Sequence, residues 1–113
     1  MGTLALILAF TLTACGTPLQ YVSPANRTYP SRGTPAGIQV LHAEPREPYD
    51  VLGFINWDYY QPGWRAPNLT DVLPRLQQQA WAAGGDALII RKQDVGVTDR
   101  HLRIVADVVR WRR

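Results

Sequence analysis

The residue with the most distinctive chemistry in this sequence is its single cysteine, Cys15, in the stretch TLTACGTP. A cysteine thiolate is a nucleophile or a metal ligand, and a thiol is also a site of covalent modification. Residues 2–14 form an uncharged apolar run that leads directly into Cys15, and the small residue Ala14 immediately precedes it. This position makes Cys15 a candidate for covalent modification, with a free thiol as the alternative.

The segment Leu12-Thr13-Ala14-Cys15 resembles the lipobox of bacterial lipoproteins. The resemblance implies cleavage between Ala14 and Cys15, a thioether-linked diacyl group on the Cys15 thiol and usually acylation of the new amino group. An apolar run of this length is shorter than the ~20 residues of a membrane-spanning helix, so residues 1–14 are predicted to be a signal peptide. Gly16 stands where the inner-membrane retention signal of such lipoproteins has Asp. We therefore expect a protein anchored in the outer membrane and facing the periplasm.

A group of aromatic residues in NWDYYQPGW is the strongest candidate for partner binding. Trp57, Tyr59, Tyr60 and Trp64 lie within eight residues of one another. Aromatic side chains combine a large contact area with a polar tip, and they are enriched at interfaces. The alternative is that Trp57 and one tyrosine complete the core of a small domain. On the first reading the partner is an envelope protein or peptidoglycan.

The remaining polar residues do not form a pattern that predicts catalysis or metal binding. Asp94 and Asp99 flank a predicted turn and are expected to be solvated. His101, beside Asp99, is a candidate proton carrier because an unperturbed imidazole titrates near pH 6.5, and the alternative is an exposed histidine at the start of a strand. The sequence contains no Gly-x-Ser-x-Gly elbow, and Gly84-Gly85 follows a helix instead of opening one, unlike a phosphate-binding loop. A metal site needs several converging ligands, whereas His42 and His101 lie far apart in sequence. We predict no enzyme activity, no catalytic residue, no metal and no cofactor.

The charge distribution argues against nucleic-acid binding. Twelve Lys and Arg against nine Asp and Glu give a net charge of +3. Nucleic-acid binders cluster their cations, whereas the cations here are spread widely between acidic residues; examples are Arg27, Arg32, Arg46, Arg65, Arg75 and Arg91. The only dense basic cluster is VVRWRR at residues 108–113, which either touches anionic lipid or is a solvated chain end.

Residues 15–36 are predicted to be a lipidated, proline-rich tether, and residues 37–113 a single domain. Prolines at high density favour extended conformations and remove backbone donors; those in this stretch are Pro18, Pro24, Pro30 and Pro35. A domain of this length lies near the lower limit for independent folding, so a partner or a homo-oligomer is expected to contribute stability.

The domain itself has the pattern of four strands and one helix. GIQVLHAE and YDVLGFINW are predicted strands that form a hairpin. Strict alternation in the strand YDVLGFINW places Val51 and Ile55 on one face of the sheet and Leu52 and Phe54 on the other. DALIIRK and HLRIVADVVRW are two further strands, separated by the turn QDVGVTD. The result is an α+β domain with a small, mostly antiparallel sheet of about four strands, in the order β-β-α-β-β, and one helix packed on one face.

The predicted helix begins near Leu69 and carries apolar residues at helical spacing. With Thr70 or Asp71 as its N-cap, Pro74 falls in the first turn, where its missing N–H does little harm. Gly84 and Gly85 end the helix.

Three segments, PYDVLGFINW, LQQQAWAAGGDALII and RIVADVVRW, resemble the YbjQ-like family, to which heavy-metal binding is attributed, and the domain of the Rcs envelope-stress lipoprotein. The resemblance covers residues 49–111 and includes Leu52-Gly53, residues 84–87 and residues 106–110. Gly85 stands where the family usually has Ala. Asp86 is expected to accept backbone hydrogen bonds in its turn, in preference to a catalytic role.

Together these observations predict a membrane-anchored cell-envelope lipoprotein that acts as a non-catalytic binding or assembly module. The alternative, which the family resemblance implies, is an envelope sensor of a small ligand or a metal ion.

Overall fold

The computed structural model describes residues 18–24, 29–61, 66–95 and 100–112. They form an α+β fold with one five-stranded mixed sheet and one helix, in the spatial strand order β1-β3-β5-β4-β2. The elements are β1 (Gln20–Val22), a single 3₁₀ turn (Pro35–Gly37), β2 (Gln39–Leu41), β3 (Tyr49–Tyr60), α1 (Leu69–Ala82), β4 (Ala87–Val95) and β5 (His101–Trp111). The α+β prediction is therefore confirmed, and three of the four strand pairs are antiparallel, but the sheet has five strands and β2 pairs in parallel with β4.

The predicted hairpin between the first two predicted strands is wrong. β2 pairs in parallel with β4, with Gln39 opposite Ala87, and lies at the edge of the sheet farthest from β1. β3 pairs instead along its whole length with β5. The connecting segment EPREP contains two prolines, and the length between β2 and β3 allows the chain to cross from one side of the sheet to the other.

The fifth strand comes from residues predicted to be part of the tether. β1 pairs antiparallel with β3, with Gln20 opposite Asn56. Leu19 and Tyr21 pack against the hydrophobic core. Leu19 and Tyr21 flank the polar Gln20 with the alternation of a half-buried strand, but this signal is short and lies among prolines.

A second part of the same stretch packs against the C-terminal end of α1. The Ser31 hydroxyl donates to the Trp81 carbonyl at 2.7 Å, and the Trp81 indole N–H donates to the Gly33 carbonyl at 3.0 Å. The Arg110 guanidinium donates to the Pro30 carbonyl at 3.0 Å. Residues 30–33 are thus held on the domain by hydrogen bonds to α1 and β5.

A β-bulge in β3 changes which side chains face the helix. The register with β5 shifts between Val51 and Gly53, so Leu52 and Ile55 are both buried, and Val51 is 56% exposed. The strict alternation predicted for this strand placed Val51 and Ile55 on the same face, and the bulge is the reason that it is wrong. Gly53 also lets β1 approach, because a Cβ there would lie 2.7 Å from the Tyr21 hydroxyl and against the Val22 carbonyl oxygen.

The N-cap of the helix lies two residues before Thr70 and three before Asp71, the two predicted caps. Asn68 is the N-cap: its side-chain oxygen accepts from the Asp71 N–H at 3.2 Å, and its own N–H donates to the Asp71 carboxylate at 3.1 Å. This reciprocal pair is a capping box. Pro74 therefore lies in the second turn, where its missing N–H leaves the Thr70 carbonyl without its helical donor.

The predicted helix end is confirmed in detail. Gly84 has a φ of 84°, the left-handed conformation that favours glycine. Its N–H donates to the Trp81 carbonyl at 3.0 Å, and the Gly85 N–H donates to the Ala80 carbonyl at 2.8 Å. These two hydrogen bonds form a Schellman motif, which satisfies the last carbonyls of α1 and turns the chain into β4.

The hydrophobic core lies between α1 and one face of the sheet. Its buried members are Ile38, Leu52, Ile55, Trp57, Leu69, Val72, Leu76, Ala80, Leu88, Ile90, Leu102, Ile104, Ala106 and Val108. The opposite face, which we call the open face, carries a smaller cluster of Ala87, Ile89 and Val109, packed against Leu41, Tyr49 and Trp111. None of the helices within the described residues is long and apolar enough to span a bilayer.

Candidate functional site

One end of the open face contains a cavity of about 550 Å³, which we call the polar pocket. Its lining residues are Gln20, Asn56, Asp58, Lys92, Asp94, His101 and Arg103. They come from β1, β3, β4 and β5, because residues two apart on one strand share a face and neighbouring strands bring these faces side by side. The pocket is therefore a product of strand register across four strands.

The pocket holds one histidine–carboxylate pair. The His101 Nδ1 lies 3.0 Å from the Asp58 carboxylate, and the Tyr60 ring lies 5.0 Å from the imidazole. Sequence reasoning associated His101 with its neighbour Asp99, which lies outside the described residues, and missed Asp58, 43 positions away in the chain. The two meet because β3 and β5 pair antiparallel with Tyr60 opposite His101.

Opposite charges alternate across the pocket. Arg103 is paired in register with Asp58 on one side and with Asp94 on the other, and the Lys92 ammonium lies 3.4 Å from the Asp94 carboxylate. Side chains opposite each other on paired strands have Cβ atoms about 5 Å apart. This arrangement suits a polar ligand that carries both a positive and a negative group. The lining residues include no hydroxyl or thiol nucleophile.

The two histidines considered as metal ligands lie at opposite ends of the sheet. Leu41, next to His42, pairs with Ile89, and Ile89 pairs with Asp107. Asp107 is six residues along β5 from His101, which corresponds to about 20 Å. Within the part of the chain that the structure describes, no three His, Cys, Asp or Glu side chains are grouped so that they could hold one metal ion.

The four aromatic residues predicted to bind a partner do not form one surface. Trp57 is 4% exposed and belongs to the core, with its ring 5.3 Å from that of Tyr59 and 5.7 Å from the Arg75 guanidinium carbon. Tyr59 is half-buried on the same side. Tyr60 points to the open face beside His101. Trp64 lies outside the described residues.

Next to the polar pocket, the open face carries a group of exposed apolar side chains, which we call the apolar patch. Val22 is 43% exposed, Phe54 37% and Val51 56%. Val22 and Phe54 lie directly opposite each other on β1 and β3. This patch was not predicted, because β1 was not expected and the bulge brings Val51 out of the core.

An ion-pair network ties the segment between β2 and β3 to the far end of the open face. Arg91 donates to the Asp107 carboxylate at 2.8 Å and to the Glu44 carboxylate at 3.1 Å. The Tyr49 hydroxyl donates to the same Glu44 oxygen at 2.7 Å. The Tyr49 hydrogen bond, followed by the hydrogen bond and charge of Arg91, lowers the pKa of Glu44 below its ordinary value of 4.5.

This network predicts a specific contribution to acid unfolding. Because the folded-state pKa of Glu44 is lowered, the unfolded chain binds the proton more readily, and stability is lost as pH falls from about 4.5 through the folded-state pKa. Glu44→Gln should therefore show a smaller loss of unfolding free energy over this acidic range. Urea unfolding of both proteins at a series of pH values measures this. Glu47→Gln, an exposed glutamate in the same segment, is the control; equal effects of the two substitutions would contradict the prediction.

Asp86 has a structural role, although a different one from that predicted. Its carboxylate accepts from the Trp111 backbone N–H at 2.8 Å, and the Arg32 guanidinium donates to it at 3.2 Å. Its side chain is only 9% exposed. Instead of closing its own turn, Asp86 joins the start of β4 to the end of β5 and to the segment before β2.

The predicted lipid attachment residue Cys15 and the cleavage-site residue Ala14 lie outside the described residues. Comparison of the chain with protein-family models, with curated proteins and with solved structures finds no match. The resemblance to the YbjQ-like family therefore stays a prediction.

Proposed function

We propose that this protein is a membrane-anchored lipoprotein of the bacterial cell envelope that acts as a non-catalytic binding or assembly module. Cys15 carries the lipid, and the domain faces the periplasm from the outer membrane. The apolar patch on the open face supports the binding role. The partner that suits such a patch best is another envelope protein.

The apolar patch supports binding because its side chains are not covered by the chain's own helix. An antiparallel sheet that packs on one face usually presents polar residues to water on the other. Here Val22, Val51 and Phe54 break that pattern on the open face. Full burial of one such side chain contributes about 1.5–3 kcal/mol, so a partner that covered the group would gain substantially.

A second candidate function is sensing of a small polar ligand, and the polar pocket is the observation that favours it. The pocket combines the carboxylates of Asp58 and Asp94 with the cations of Lys92 and Arg103. A ligand with one ammonium and one anionic group would complement both signs of charge.

The proposed function is tested by photo-crosslinking from the open face in living cells. A photoreactive amino acid placed at Phe54 should give one crosslinked product of defined mass, because the partner covers this position. The matched control is Gln78, which is exposed on α1 and therefore lies on the other side of the domain. The control position should give no product.

The mass of the product distinguishes the partners. A product of twice the chain mass would identify a homo-oligomer, whereas a larger defined product would identify an envelope protein. Equal labelling from Phe54 and Gln78, or no product from either, would contradict a binding role for the apolar patch.

A further inference from the structure

The position of β1 limits how far the domain can move from its lipid anchor. β1 begins at Gln20, five positions after Cys15, and the described chain begins at Pro18. Three residues in a fully extended conformation span about 10 Å. A lipid on Cys15 would therefore lie within about 10 Å of Pro18. The tether is much shorter than the one predicted from prolines alone.

β1 is held in the sheet by contacts on several sides. Gln20 and Val22 pair with β3, and the side chains of Leu19 and Tyr21 pack against the core. The Ser23 hydroxyl donates to the Leu52 carbonyl at 3.1 Å. These contacts fix the point at which the chain leaves the domain toward Cys15.

The direction of β1 then determines which end of the sheet is near the lipid. β1 runs antiparallel to β3, so residues before Gln20 continue from Asn56 toward Tyr60. Tyr60 pairs with His101, the first residue of β5. The end of the sheet formed by residues 58–61, 92–95 and 100–103, which we call the anchor end, is therefore the end at which the lipid attaches.

The anchor end has the chemistry of a surface that lies against phospholipid head groups. Lys92, Arg100 and Arg103 supply three cations, and Asp58 and Asp94 supply two carboxylates. This mixture complements head groups that carry a phosphate and an ammonium. The half-buried Tyr60 lies here too, and tyrosine is enriched at membrane–water interfaces, where its ring and hydroxyl meet both environments.

We infer that the domain stands on the membrane by its anchor end, with the polar pocket against the phospholipid head-group layer and the apolar patch directed away from it. This inference rests on the lipid anchoring of the proposed function. Although the patch adjoins the pocket, Phe54 and Val51 lie six and nine residues along β3 from Tyr60, which corresponds to about 20 and 30 Å. The patch thus stays accessible to a periplasmic partner while the pocket faces lipid.

Energy transfer to labelled lipids tests this orientation. Acylation consumes the Cys15 thiol, so a single introduced cysteine carries the donor dye in the full lipidated chain. Arg100→Cys places the dye at the anchor end, and Arg112→Cys places it at the other end of β5, about 40 Å away. The vesicles contain phosphatidylethanolamine and phosphatidylglycerol with a small fraction of acceptor attached to the head group. We expect several-fold higher transfer from residue 100 than from residue 112.

A longer tether is the matched control. Insertion of about ten Gly and Ser residues between Gly16 and Thr17 adds a flexible coil with a root-mean-square length of about 17 Å. The domain is unchanged, but the lipid no longer restricts its orientation through β1. The difference in transfer between the two labelled positions should therefore shrink. If the difference in transfer between residues 100 and 112 were unchanged, the short tether would not be the cause of the orientation.

The outcomes separate failure of the orientation from failure of the anchor. Equal transfer from both positions, or higher transfer from residue 112, would overturn the orientation while the protein remains on the vesicles. No vesicle association of either labelled chain, as expected for the Cys15→Ala variant, would overturn the lipid anchoring and the orientation with it.

Discussion

Gly84→Ala is expected to lower the free energy of unfolding by about 2–5 kcal/mol. The left-handed conformation costs a residue with a Cβ about 1–2 kcal/mol, and crowding in a packed region adds about 1–3 kcal/mol. A Cβ on Gly84 would lie 2.6 Å from the Tyr29 carbonyl oxygen, which belongs to the backbone and cannot move aside without shifting the chain. Urea or thermal unfolding followed by circular dichroism measures the loss.

Gly33→Ala is the matched control for this substitution. Gly33 also has a left-handed φ, of 64°, but a Cβ there would have no neighbour within 4 Å. The control should therefore lose only the conformational part, about 1–2 kcal/mol. Equal losses of unfolding free energy in the two variants would contradict the prediction, because they would show that Tyr29 moves away from the new Cβ at no cost.

Asp86→Ala is expected to destabilise the domain by about 2–4 kcal/mol. The substitution removes the acceptor for the Trp111 N–H and leaves Arg32 without its carboxylate. Both losses are costly because the Asp86 side chain is only 9% exposed in the natural chain. Arg32 is itself 35% exposed, so solvent reduces the share that comes from the ion pair. Chemical unfolding of the variant and of the natural chain measures the difference.

Two further variants separate the contributions at Asp86. Asp86→Asn keeps a side-chain oxygen that can accept from the Trp111 N–H but loses the charge, so it should cost less than alanine. Asp94→Ala removes a carboxylate that is 60% exposed, and its effect should stay within about 0.5 kcal/mol. A loss for Asp86→Ala as small as that for Asp94→Ala would contradict its role in joining β4 to β5.

The two substitutions probe the same part of the molecule. Gly84 and Asp86 lie in the connection between α1 and β4, and the Arg110 guanidinium donates to the Gly84 carbonyl and lies 5.2 Å from the Tyr29 ring. This connection therefore joins the helix, the last strand and the segment that follows β1. If Tyr29 is displaced, the chain between β1 and β2 loses a contact with the rest of the domain.

Much of the fold was predictable from local patterns. The α1 periodicity, the glycine stop after it and the bounds of β5 at His101–Trp111 were all correct. Each depends on residues close together in sequence: apolar residues at helical or alternating spacing, and a left-handed residue that only glycine adopts cheaply. The strand DALIIRK was also found, although β4 continues to Val95 through residues predicted as a turn.

The errors arose where distant segments compete for the same partner. Whether β2 pairs with β3 or with β4 depends on which strand edges are free: β5 lies in the middle between β3 and β4, β1 covers the outer edge of β3, and β2 covers the outer edge of β4. The bulge at residues 51–53 likewise depends on the register with β5 and on the approach of β1 to Gly53. Local propensity contains no information about either.

The sequence by itself determined the fold class, the helix with its glycine stop and the last strand, because these follow from short-range periodicity and backbone conformation. It also carries the prediction of a lipid on Cys15. Only the tertiary structure decided that β1 belongs to the sheet, that Asp58 meets His101, and that Trp57 is core while Val22, Val51 and Phe54 are surface. The physical reason is that the pairing of β3 with β1 and β5 joins residues 32 to 62 positions apart, and pairing sets the face on which each side chain lies.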